Sequence, residues 1–95
     1  MSWINVTEVY YRIERDQGRE AAVDVINTTR TAIDMELPTE RRMIEAGRIK
    51  AANPIALADC FAISCAADNG AVLYTGDPEI LSLPGLPCQL RDLRT

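Results

Sequence analysis

Glu8, Asp59, Thr75 and Asp77 are the oxygen-bearing side chains through which this 95-residue sequence could do chemistry. Histidine is absent, which removes Ser-His-Asp and Cys-His catalysis together with histidine-ligated zinc or haem. Carboxylate, hydroxyl, lysine, arginine and thiol remain. Asp59 is the one charge in PIALADCFAISCAA, residues 54–67. Its helical neighbours Ile55, Ala56, Ala62 and Ile63 offer no cation, so its carboxylate faces another element, a ligand, or the N-terminus of its own helix, where a negative charge suits the macrodipole. Glu8 sits at the edge of an apolar stripe, four residues before Arg12, the favourable order for a helical ion pair. Asp77 in TGDPE follows an apolar run and precedes a proline, a common way to start a turn. Each acid alone has an ordinary role as cap, ion pair or turn. Converging, they would suit a hard divalent cation, Mg2+ or Mn2+, and metal-assisted hydrolysis of a phosphodiester.

The elements that must position these acids belong to one small α/β domain spanning residues 1–95, which buries somewhat over ~60% of its unfolded surface. Composition is that of a soluble protein, 47% hydrophobic and 25% charged. No segment approaches the ~18 apolar residues of a membrane span, and MSWINVTEVYYR lacks the pattern of a secretory leader. The expected location is the cytoplasm. Cys60, Cys65 and Cys88 form no CxxC spacing and read as reduced thiols. A net charge of -4 argues against a generally basic nucleic-acid binder, while leaving room for a local basic patch.

Helical spacing predicts a first helix over about 5–17, capped by Asn5 or Thr7 and stopped by Gly18, then a second through REAAVDVINTT to form a hairpin. TAIDMEL, residues 31–37, alternates in the manner of a strand with one buried face. Pro38 and Thr39 open a helix closed by Asn53-Pro54, with Pro suited to the first turn. The apolar run after Pro54 makes a helix to about Asn69, ended by Gly70. AVLYTG reads as a strand buried on both faces of a parallel sheet, and a last strand is expected near Cys88 to Leu90. Ligands of such sheets bind at the carboxyl ends of strands, which selects Asp77.

INVTEVYYR followed by RIKAANPIALADCFAISCAADNGAVLYTGDPEI resembles the PIN-domain ribonucleases, and among them the VapC-type toxins of bacterial toxin-antitoxin pairs, in order and spacing over essentially the whole chain. The resemblance implies a three-layer PIN-like fold with a short parallel sheet flanked by helices. It likens Glu8 to the family's helix glutamate, Asp59 to its helix aspartate, Asp77 to the aspartate after the T-x-D strand, and Thr75 to the accompanying hydroxyl residue. It further implies a Mg2+- or Mn2+-dependent endoribonuclease, usually dimeric, restrained by a cognate antitoxin. Arg12, Arg15, Arg48 and Lys50 are the candidate RNA phosphate contacts, each with solvated helix faces as the ordinary alternative.

In the family, an apolar strand ending in an aspartate and then a helix precede the segment that resembles INVTE, whereas here Met1 stands just before Trp3. The expectation is therefore an N-terminally truncated fold, or a start codon placed too late. Three of four acids would be present, activity would be weakened, and open strand edges would favour a homodimer. The alternative function is a non-catalytic PIN-like remnant acting through dimer or antitoxin binding. A third is an unrelated α/β domain whose acids are all caps and turns.

Overall fold

The computed structural model describes residues 1–93 and divides into two compact units, Met1–Pro38 and Thr39–Thr95. The first unit is a helix hairpin. Ser2, rather than Asn5 or Thr7, caps α1 (Trp3–Gln17), its hydroxyl accepting from Ile4 N at 3.2 Å. Gly18 then ends α1 and starts α2 (Arg19–Ala32) in a single residue, its N–H donating to Glu14 O and its carbonyl accepting from Ala22 N. That junction needs φ = 94°, a region costly for side chains with a Cβ. Val6 and Ala22 are buried within this unit, and the Arg30 guanidinium lies 5.0 Å from the centre of the Trp3 ring.

The strand expected over 31–37 is not formed. Residues 31 and 32 end α2, where Thr29 and Thr31 donate their hydroxyls to the carbonyls of Val25 and Thr28 and so tolerate the helix. Only Glu36 pairs, in an isolated parallel bridge to Ser2 made by Trp3 N to Glu36 O at 2.9 Å and Glu36 N to Met1 O at 2.8 Å. Two of the three apolar residues meant for a buried face stay wet, Ile33 at 47% and Leu37 at 76% exposure, while Met35 is half-buried. Alternation alone makes no strand without a partner over the same length.

In the second unit, Thr39 caps α3 (Glu40–Ala52) with Oγ1 accepting from Arg42 N at 3.2 Å. Pro38 thus precedes the cap instead of filling the first turn. Thr39→Ala is expected to lower stability by about 1 kcal/mol, read as a shift of the denaturation midpoint. After Asn53 the chain bends by 119° into α4 (Leu57–Asp68). This helix is apolar almost all round and buries Cys60, Phe61, Ile63, Ser64, Cys65 and Ala66. With Ala46, Ile55 and Ile80 it makes the core, against which Leu73, Leu83, Leu86 and Leu90 pack.

α4 ends in a Schellman turn: Gly70 N donates to Ala67 O and Ala71 N to Ala66 O, with Gly70 at φ = 60°. The chain reverses there into β1 (Val72–Thr75), crosses over through α5 (Pro78–Leu81) and returns as β2 (Gln89–Asp92), parallel to β1 with Val72 opposite Gln89 and Thr75 opposite Asp92. The expected last strand therefore lies one residue further on. β1 is not buried on both faces, since Tyr74 is 60% exposed. No single helix among the described residues is long and apolar enough to cross a membrane.

Candidate active site

Helix α4, the Gly70 reversal and β1 together place Asp59 and Asp77. Because α4 turns back directly into β1 and packs against it, the first turn of α4 and the carboxyl end of β1 fall at the same end of the unit. Asp59 lies in that first turn, and Thr75 and Asp77 at and just beyond the end of β1; all three are half-buried. Ala56, the residue before α4, supplies no side-chain cap, so the charge of Asp59 falls where the helix dipole is positive.

Asp77 is itself an N-cap: Oδ1 accepts from Glu79 N at 2.9 Å at the start of α5. Thr75 Oγ1 accepts from Asp77 N at 3.1 Å. The hydroxyl therefore holds the turn that carries the acid. The turn-forming role expected of Asp77 is real, and the cap uses one of its two carboxylate oxygens.

Lys50 reaches from α3 across the bend and donates to Ile55 O at 2.6 Å, close to the start of α4. Both Lys50 and Asp59 act on the Cys60 thiol. Burial is the largest influence and pushes it up, Lys50 opposes, and Asp59 adds to the rise. Burial also pushes up Cys88. Thiols held protonated in the fold stabilise it fully below the unfolded thiol value, about 8.5, and lose that contribution as pH rises past it. Thermal melts are accordingly expected to hold from pH 7 to 8 and fall above 9, with a shallower alkaline decline in Cys60→Ala.

Glu8 belongs to the first unit, on α1, and makes the ion pair its spacing allows, with Arg12 at 3.0 Å. Arg15 lies further along α1, its Nε 3.1 Å from Asp16 and its guanidinium 5.9 Å from the Tyr11 ring centre. Arg48 is exposed on α3. Among the described residues no three His, Cys, Asp or Glu side chains gather closely enough to hold a metal ion. The donors at the α4–β1 end are all oxygens, and two carboxylates suffice for Mg2+ or Mn2+ when water and a substrate phosphate complete the shell.

The residue that spacing did not reveal is Arg42. It is 7% exposed, and its Nη1 donates to Ser64 O at 2.7 Å and Ser64 Oγ at 2.9 Å, lying 2.8 Å from Asp68 Oδ2 and 3.3 Å from Glu45 Oε2. Ser64 Oγ in turn donates to Glu45 at 3.0 Å. This network ties α3 to the helix that carries Asp59. Its one sequence signal is the pair of polar residues Ser64 and Asp68, one turn apart on a helix whose other charge is Asp59.

A PIN-domain family model matches residues 1–86. Among solved structures, a chain of the DNA-bound VapBC complex from Salmonella typhimurium aligns with a TM-score of 0.74 at 22% identity, over 96% of this chain and 72% of that one. No curated protein matches at a significant level. The short parallel sheet with its packed helices is the α/β arrangement expected of that family, and the chain belongs to the PIN-domain family.

Proposed function

We propose that this chain is a VapC-type endoribonuclease that uses Mg2+ or Mn2+ to hydrolyse RNA phosphodiester bonds. The observation carrying this reading is the placement of Asp59 and the Thr75–Asp77 turn at one end of the α4–β1 pair. Asp59 and Asp77 would hold the cation, which when bound supplies charge to polarise the phosphate and to acidify an attacking water. Asp59 is carried by a helix buried in the core, which limits its movement. Thr75 restrains Asp77 through its backbone N–H. Lys50, anchored on Ile55 O, contributes a positive charge near the start of α4, suited to a phosphate oxygen.

The solved structure whose fold is similar is a DNA-bound VapBC complex, which supports a protein partner of the antitoxin type for this chain as well. A homodimer is part of the same proposal. A second reading, a non-catalytic member that acts by binding its partner, is favoured by one observation: no three acids are gathered among the described residues. Incubation of a structured RNA with the wild type and Asp59→Asn, each with Mg2+, Mn2+ or EDTA, separates the two. The nuclease reading predicts cleavage that needs both metal and Asp59. Equal cutting by the two proteins, or none by either, would leave the binding reading.

A further inference from the structure

One face of α1 joins an acid, an aromatic ring and two guanidinium groups. Glu8, Tyr11, Arg12 and Arg15 follow one another at i, i+3, i+4 and i+7, which stacks them along a single stripe of the helix. Tyr11 is 48% exposed. It is ordered by its charged neighbours, with the Arg15 guanidinium 5.9 Å from its centroid and Arg12 paired to Glu8 at 3.0 Å. Its neighbour Tyr10 differs: that hydroxyl donates to Glu14 at 3.1 Å, and desolvation with the nearby carboxylate pushes its ionisation up. Tyr10 is tied within the helix, while the ring of Tyr11 faces water.

We infer that this stripe is a single-stranded RNA contact in which Tyr11 stacks on an unpaired base while Arg12 and Arg15 take the adjoining phosphates. The inference rests on the ribonuclease reading for its substrate class. Unpaired bases are held on flat aromatic and guanidinium surfaces, and Tyr11 with Arg15 presents both. The ion pairs of Arg12 with Glu8 and of Arg15 with Asp16 are exposed, with Arg12 59% and Arg15 64% accessible. Pairs of that kind are weak in water and exchange readily for phosphate. The arginines act through charge, so their contribution falls with salt; stacking is largely insensitive to it.

The test is fluorescence anisotropy of end-labelled oligo(A), oligo(U) and abasic RNA with the full chain in EDTA, across a salt series. Tyr11→Phe is expected to bind as the wild type, because the ring is kept. Tyr11→Leu, which keeps an apolar side chain and a good helix former, is expected to bind roughly tenfold more weakly at an unchanged salt slope, and the loss should vanish on abasic RNA. Arg12→Gln and Arg15→Gln should each reduce the salt slope by about 1. Wild-type affinity in Tyr11→Leu overturns the inference, also where that variant instead alters self-association or protein binding. If Asp59-dependent cleavage persists in that case, the stacking inference alone has failed. Absence of any RNA binding by the wild type in EDTA overturns this inference, while the ribonuclease reading is decided separately by metal- and Asp59-dependent cleavage.

Discussion

Arg42→Ala is expected to destabilise the chain by about 3 kcal/mol, at the lower end of the ~3–5 kcal/mol seen when one partner of a buried ion pair is removed. The guanidinium is nearly inaccessible, and its Nη1 donates to the Ser64 carbonyl and hydroxyl while lying within ion-pair distance of two carboxylates. Truncation leaves those acceptors facing a cavity. The acids themselves are about a third exposed, with Asp68 at 33% and Glu45 at 30%, and Arg41 still reaches both at 3.3 and 3.0 Å, which holds the loss to the lower end. For a domain of this size the midpoint of thermal unfolding should fall by ~12–24 °C. Arg42→Lys is expected to recover only part of the loss, since a single ammonium cannot reproduce a planar fork. A loss below about 1 kcal/mol in Arg42→Ala would show that the network is solvated and contributes as a surface pair does.

The second large effect concerns Asp59. Asp59→Asn keeps the size and one oxygen of the side chain but removes its charge. RNA cleavage is therefore expected to fall by at least ~100-fold, the scale on which metal sites respond even to losses outside the ligand set. Stability should move far less, by under about 1 kcal/mol, because the folding role of the acid is its favourable place at the start of α4. A large activity loss with an unchanged melting curve is what separates a chemical role from a helix-capping one. A fall in stability matching the fall in activity would instead assign Asp59 to the fold. Direct Mn2+ titration of both proteins adds a readout independent of turnover, and Glu8→Gln in the same titration measures whether the glutamate of α1 contributes to cation binding.

Much of the architecture was legible in local signals. Gly18 punctuates the helix hairpin, Gly70 ends α4, and VLYT is a strand, because each depends on residues within a few positions of one another. The misplaced elements failed for the opposite reason. TAIDMEL has the alternation of a strand, but strand formation needs a pairing partner, and only Ser2 supplies a rung. AVLYTG reads as doubly buried, yet Tyr74 is open because burial depends on what covers the sheet. At the candidate site, the positions of Asp59 near a helix start and of Asp77 in a turn after a strand were legible from local spacing. The use of Thr75 Oγ1 to brace Asp77 N was not, since the sequence shows a hydroxyl and an amide without showing the turn that joins them.

The residues alone determined which chemistry is open to this protein. The absence of histidine leaves carboxylate, hydroxyl, lysine, arginine and thiol chemistry open, with carboxylates at 8, 59 and 77 among the groups available, and the order of the motifs resembled that of the PIN family. Only the tertiary structure decided which residues distant in sequence come into contact. It packed α4 against β1, kept Glu8 in an ion pair on α1, and joined Arg42 to Ser64 and Asp68 across more than twenty residues of chain. Periodicity and capping act over one or two turns and can be read from spacing. Contacts between distant residues are selected by packing, and packing exists only once the chain has folded.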